Sequence, residues 1–113
     1  MPSRVAAPAA AGSAADLSER QRRHLRGLAH ALKPVVRLGN AGLTAAVTQE
    51  TERALHDHEL IKVKSPGGDR AARDALFEEL ARATRSALVQ RIGNVAVLYR
   101  AHPQLPRILL PDA

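Results

Sequence analysis

The sequence predicts an α/β fold: a single compact domain with elements in the order αβαβαββ and a four-stranded mixed sheet packed with helices. Three observations predict it. Segments with apolar residues at three- and four-residue spacing alternate with short runs of β-branched residues. The last two such runs are separated by Gly93-Asn94, a two-residue hairpin signal. A chain of 113 residues supports one core but not two. Alternation of helix and strand favours parallel crossovers, and the closing hairpin adds an antiparallel edge.

Residues 1–16 are mostly Ala, Pro, Gly and Ser without Leu or Phe, and are expected to form a disordered Ala/Pro-rich tail. Pro8 and Gly12 interrupt what would otherwise look like a secretory leader. The domain proper is expected over 17–101. Ser18 with Gln21 three residues later matches a capping box, so a helix should begin there. Leu25, Leu28 and Leu32 give it an apolar face; Arg22, Arg26, His30 and Lys33 give it a basic one. Pro34 ends it at Lys33, and Val35 to Leu38 reads as a short strand. Gly39-Asn40-Ala41-Gly42 is the following turn. Thr44 can cap a second helix to about Asp57, with Leu43, Val47, Ala54 and Leu55 facing inward.

Leu60 to Lys64 is a strand with Ile61 and Val63 on one face and Lys62 and Lys64 on the other. After Ser65-Pro66-Gly67-Gly68, Asp69 caps a third helix whose expected buried stripe is Ala72, Leu76, Leu80 and Ala83. That helix lacks a glycine stop. Ala87 to Ile92 and Val95 to Arg100 form the hairpin, with Gly93 at the first position of a type II′ turn. Residues 102–113 contain three prolines and should be an extended C-terminal tail, with Leu105, Ile108, Leu109 and Leu110 apolar enough to dock.

Composition narrows the function. A formal charge of +6 and a pI near 11 point to a polyanionic partner. Between residues 17 and 42, six basic residues face one acid, Glu19. Phe77 and Tyr99 are the whole aromatic content, which argues against nucleic-acid readers that stack bases on rings. The absence of cysteine removes thiol nucleophiles and thiolate metal sites, and fits a cytoplasmic location. No run approaches the roughly 18 apolar residues of a membrane span, so no membrane partner is expected.

A glycine turn between a strand end and a helix start offers backbone amides and a positive helix dipole to a phosphate. Gly39, Asn40, Ala41 and Gly42 fit that description, and a GxxG loop clamps backbone in KH domains. Taken alone the pattern is also that of any tight turn. Arg22, Arg26, Lys33 and Arg37 lie just upstream and would serve as its basic surroundings. Lys62 and Lys64 either extend that basic surface or keep an exposed face soluble. His56 and His58, at i and i+2 on a helix, diverge and read as a polar helix end, not a metal site. No catalytic motif is present, so no enzyme activity, cofactor or small-molecule substrate is expected.

The stretches "LRGLAHALKPVVRLGNAGLT" from Leu25 to Thr44, "HELIKVK" from His58 to Lys64 and "LVQRIGNVAVLYR" from Leu88 to Arg100 together resemble the CRM domain of the bacterial YhbY family. The resemblance implies a fold like the C-terminal domain of a bacterial translation initiation factor. It also implies a GxxG loop facing RNA, carried by Gly39 and Gly42, and association with precursors of the large ribosomal subunit whose assembly the protein assists. A monomer is expected. Two departures from the family pattern matter: Asn40-Ala41 stand where many relatives carry a loop lysine, and Arg85-Ser86 stand where many have a glycine. The first shifts the electrostatic burden to Arg22, Arg26 and Arg37. The sequence also admits a general RNA chaperone or regulator, or a ribosome-bound protein adaptor docking through residues 105–110.

Overall fold

The computed structural model describes residues 17–113. The expected N-terminal tail lies outside them. The elements are α1 (Glu19–Ala29), β1 (Pro34–Arg37), α2 (Ala45–His58), β2 (Leu60–Lys64), α3 (Arg70–Ala83), β3 (Ala87–Ile92) and β4 (Val95–Tyr99). They form a four-stranded mixed sheet in the order β1-β2-β4-β3, with β1 parallel to β2 and the other pairs antiparallel. The crossover from β2 through α3 skips one position, and the hairpin returns β4 into that gap. Gly93 has φ 58 whereas Asn94 has no positive φ, the pattern of a type II′ turn.

Side-chain alternation divides the core in two. On one face, Val36, Ile61, Val63, Ala96 and Leu98 meet Leu55 of α2 and Phe77, Leu80 and Ala81 of α3. On the other, Leu60, Ala87, Val89, Val97 and Tyr99 meet Leu25 and Ala29 of α1, with Ile108 and Leu110 packed beside them. The caps form as the sequence requires. Ser18 and Gln21 exchange both bonds of a capping box at 3.0 Å, Thr44 accepts from the Val47 amide at 3.1 Å, and Asp69 accepts from Ala72 at 2.8 Å.

Two expectations are corrected. The first helix stops at Ala29, not Lys33, and Leu28 and Leu32 are 43% and 37% exposed. The buried pair Leu25 and Ala29 sets the packing direction of α1; at about 100° per residue Leu28 falls about 80° off it. The buried stripe of α3 is Phe77, Leu80 and Ala81, with Leu76 half-buried and Ala72 and Ala83 outside it. Helix α3 stops without glycine because Arg85 itself adopts φ 54 while Ser86 donates its amide back to the Ala81 carbonyl.

Residues 102–113 have no helix or strand and pack on the α1 side. Their anchor is Glu59, fully buried at φ 66 after α2. Its carboxylate accepts from the backbone amides of His102 at 2.7 Å, Arg107 at 2.9 Å and Ile108 at 2.8 Å.

Candidate nucleic-acid interface

Leu38 is buried and donates its amide to the Lys64 carbonyl at 2.8 Å, which fixes where the chain leaves the sheet. The next four residues close on themselves: the Gly42 amide donates to the Gly39 carbonyl at 3.0 Å. Gly42 has φ +75, and a Cβ there would lie 3.6 Å from Leu76 of α3. Gly39 has neither constraint; a Cβ there would meet nothing within 4 Å. The supply of loop amides is therefore smaller than the sequence implies. Gly42 uses its own inside the turn, while those of Asn40 and Ala41 at the tip have no partner among the described residues.

Two further turns lie at the same end of the sheet. Ser65, following β2, donates its amide to the Asn94 carbonyl, and the Asn94 side chain donates to the Ser65 carbonyl, both at 2.8 Å. This locks the 65–68 loop to the hairpin. Between that loop and the Gly39–Gly42 turn is a cleft of about 190 Å³.

The basic residues separate into groups. Arg37 is exposed, pairs in register with Lys64, and points with Lys62 and Lys64 to the α1 side of the sheet. Arg26 and His30 share a groove of about 350 Å³ with Lys62, Gln90, Ile92 and Val95 on that side. Arg26 also pairs with Glu19 at 3.1 Å, and Lys62 donates to the Leu32 carbonyl at 3.0 Å. Arg22 and Lys33 are not brought to the loop. Arg22 sits only about 40° from the packing direction of α1, so it turns inward and donates to the Leu88 and Val89 carbonyls at 3.1 and 3.3 Å. Those carbonyls flank the irregularity in β3. Lys33 lines an apolar hollow on the other flank of α1, with Leu28, Leu32, Val35 and Ile108.

Sequence reasoning missed Arg73, which lines the cleft beside the glycine turn. Its signal was present: Arg73, Phe77 and Leu80 recur at i, i+4 and i+7, placing an arginine on the buried stripe of α3. His56 meets His102 of the tail with ring centroids 4.6 Å apart and planes tilted by 54°, while His58 lines the apolar hollow. Among the described residues no cluster of His, Asp or Glu could hold a metal ion, and no helix is long and apolar enough to cross a membrane.

Comparison with known proteins gives a consistent result. Residues 17–100 match the family model of the CRS1/YhbY (CRM) domain. A Haemophilus influenzae protein named RNA-binding protein is 50% identical over 95 residues, covering 80% of this chain and 96% of the relative. The Pseudomonas aeruginosa "Probable RNA-binding protein PA4753" is 47% identical over 88 residues, covering 78% of this chain and 85% of the relative. The solution structure of the Staphylococcus aureus protein SAV1595, an RNA-binding candidate, superimposes with a TM-score of 0.73 at 37% identity. It covers 84% of this chain and 99% of that one.

Proposed function

This chain belongs to the CRS1/YhbY (CRM) domain family, and from that membership we propose that it binds RNA and assists assembly of the large ribosomal subunit, as a cytoplasmic monomer without catalytic activity. The observation that carries the reading is the end of the sheet described above. A glycine turn whose exposed Asn40 and Ala41 have amides without a partner among the described residues lies there, and Arg37, Lys62 and Lys64 lie on the adjoining sheet face. The turn amides hold one phosphate. The lysines and arginines, with Arg26 at the groove, follow neighbouring phosphates. With so few aromatic side chains to stack on bases, backbone contacts supply most of the affinity.

The test is a sucrose-gradient profile of the tagged protein in a low-salt lysate, comparing wild type with Gly39→Asp. This position accepts a side chain without strain, so the variant should fold and place a negative charge where the phosphate sits. Wild type migrating with large-subunit precursors and the variant remaining at the top supports the reading. Wild type migrating with small subunits or messenger RNA instead leaves a general RNA-binding role and removes the assembly role. An adaptor role for the C-terminal segment is less favoured, since Ile108 and Leu110 already pack on the chain's own α1 face.

A further inference from the structure

Arg73 leaves the first turn of α3 and lines the cleft between the Gly39–Gly42 turn and the 65–68 loop. Its residue is part-buried, and its Nε is fully covered and has no hydrogen-bond partner. Nor does any carboxylate pair with it among the described residues. The acids of the neighbourhood are engaged elsewhere: Asp69 accepts from Ala72, Asp74 lies 4.0 Å from Arg70 and 3.2 Å from Arg91, and Glu78 meets Arg91 at 3.4 Å. A part-buried guanidinium loses hydration and ordinarily recovers it through an anion. Here the protein supplies none, while Gly39 and Gly67 on either side of the cleft would leave a Cβ in open space.

We infer that this cleft is a phosphate subsite of the RNA interface, with Arg73 as the cation that binds a phosphodiester oxygen between the two glycine loops. It rests on the RNA-binding reading and supplies the charge that Asn40-Ala41 lack. Asp69 borders the same cleft, so an anion is held there only because Asp69 is turned to its own helix cap and Arg73 offsets it.

The experiment measures affinity for purified large-subunit ribosomal RNA across a salt series for wild type, Gly39→Asp, Arg73→Gln, Arg73→Lys and, as a surface control, Arg82→Gln. Thermal unfolding of each variant is recorded alongside. Arg73→Gln should bind about tenfold more weakly, with its salt slope reduced by about 0.7. Arg73→Lys should keep the slope, and Arg82→Gln should match wild type. If wild type binds, Gly39→Asp does not, and a folded Arg73→Gln keeps both affinity and slope, the Arg73 subsite is wrong while the loop reading survives. If wild type fails to bind or shows no salt dependence, the RNA-binding reading itself fails. Should Arg73→Gln not fold, the Arg73 Nε–H resonance of the intact wild-type protein decides. A shift on adding the RNA supports the subsite, and an unmoved resonance beside shifting Asn40 and Ala41 amides overturns it.

Discussion

Gly39 and Gly42 are the same residue in one motif, yet the backbone asks different things of them. At φ +75 Gly42 occupies a region that costs an L-residue about 1–2 kcal/mol, although a Cβ there would make only ordinary van der Waals contact with Leu76. Gly42→Ala should therefore lower stability by about that amount, read as a drop in the urea midpoint. Gly39→Ala should leave stability within about 0.5 kcal/mol of wild type. Any loss of RNA affinity in Gly39→Ala then reports the approach of the ligand. A sequence motif could not separate the two roles, because only Gly42's dihedral and the Leu76 contact distinguish them. Tyr99 offers a second residue-scale test. Burial, with the nearby Glu59 charge, pushes its phenol up to about 12 from the ordinary 10.0. The folded state thus disfavours the ionised phenol, so this contribution is complete below about pH 10 and is lost as pH rises toward 12. It amounts to roughly 2–3 kcal/mol. Tyr99→Phe should flatten the decline of stability over that window, and absorbance of the single tyrosine should place its ionisation well above the ordinary phenol range or show it accompanying unfolding.

Helix starts were legible and helix ends were not, for a physical reason. N-caps are made by side chains, so Ser18, Thr44 and Asp69 could be read directly. The ends rest on backbone conformations that residue type only favours. Arg85 takes a positive φ where glycine is usual, as does Glu59 after α2. Arg85→Gly should relieve that strain and raise stability by about 0.5–1 kcal/mol, checked by equilibrium unfolding; an unchanged or lower midpoint would show that Arg85 contributes contacts worth more than its strain. The same limit explains the helix faces. Apolar spacing placed the stripe of α1 through Leu28 and Leu32, but packing against the sheet is set by Leu25 with the small Ala29, and the rotation this imposes carries Arg22 under the helix toward β3. Of the expected basic surroundings, the adjoining sheet face therefore has Arg37 near the loop and Arg26 farther along, while Arg73 enters from α3.

At the scale of the whole molecule, strand facing followed from the sequence because alternation in β2 fixes it, with Ile61 and Val63 on one side and Lys62 and Lys64 on the other, whereas the insertion of β4 between β2 and β3 did not. What local pattern could not convey was that Glu59 and the C-terminal segment form one unit. A glutamate after a polar helix end looks solvated, and partners 43 to 49 residues away leave no periodicity to read. The family match ends at residue 100, so the segment beyond it resembles an appendage. Its energetics argue otherwise: removing residues 102–113 would strip three amides from a buried carboxylate and uncover the side of the core that Ile108 and Leu110 flank. Exchanging three charge-assisted hydrogen bonds for hydration and losing the packing of Ile108 and Leu110 should together cost about 2–5 kcal/mol, so the shortened chain should be severely destabilised. Denaturation of four proteins separates charge from packing: the full and the shortened chain, each with and without the substitution Glu59→Gln. In the full chain the substitution should cost about 1.5–3 kcal/mol by weakening charge-assisted hydrogen bonds. In the shortened chain it should be close to neutral, because water then reaches the carboxylate and replaces the lost amides, giving a coupling of about 1–3 kcal/mol. Equal costs in both chains would mean that the segment stabilises the domain through Ile108 and Leu110 alone.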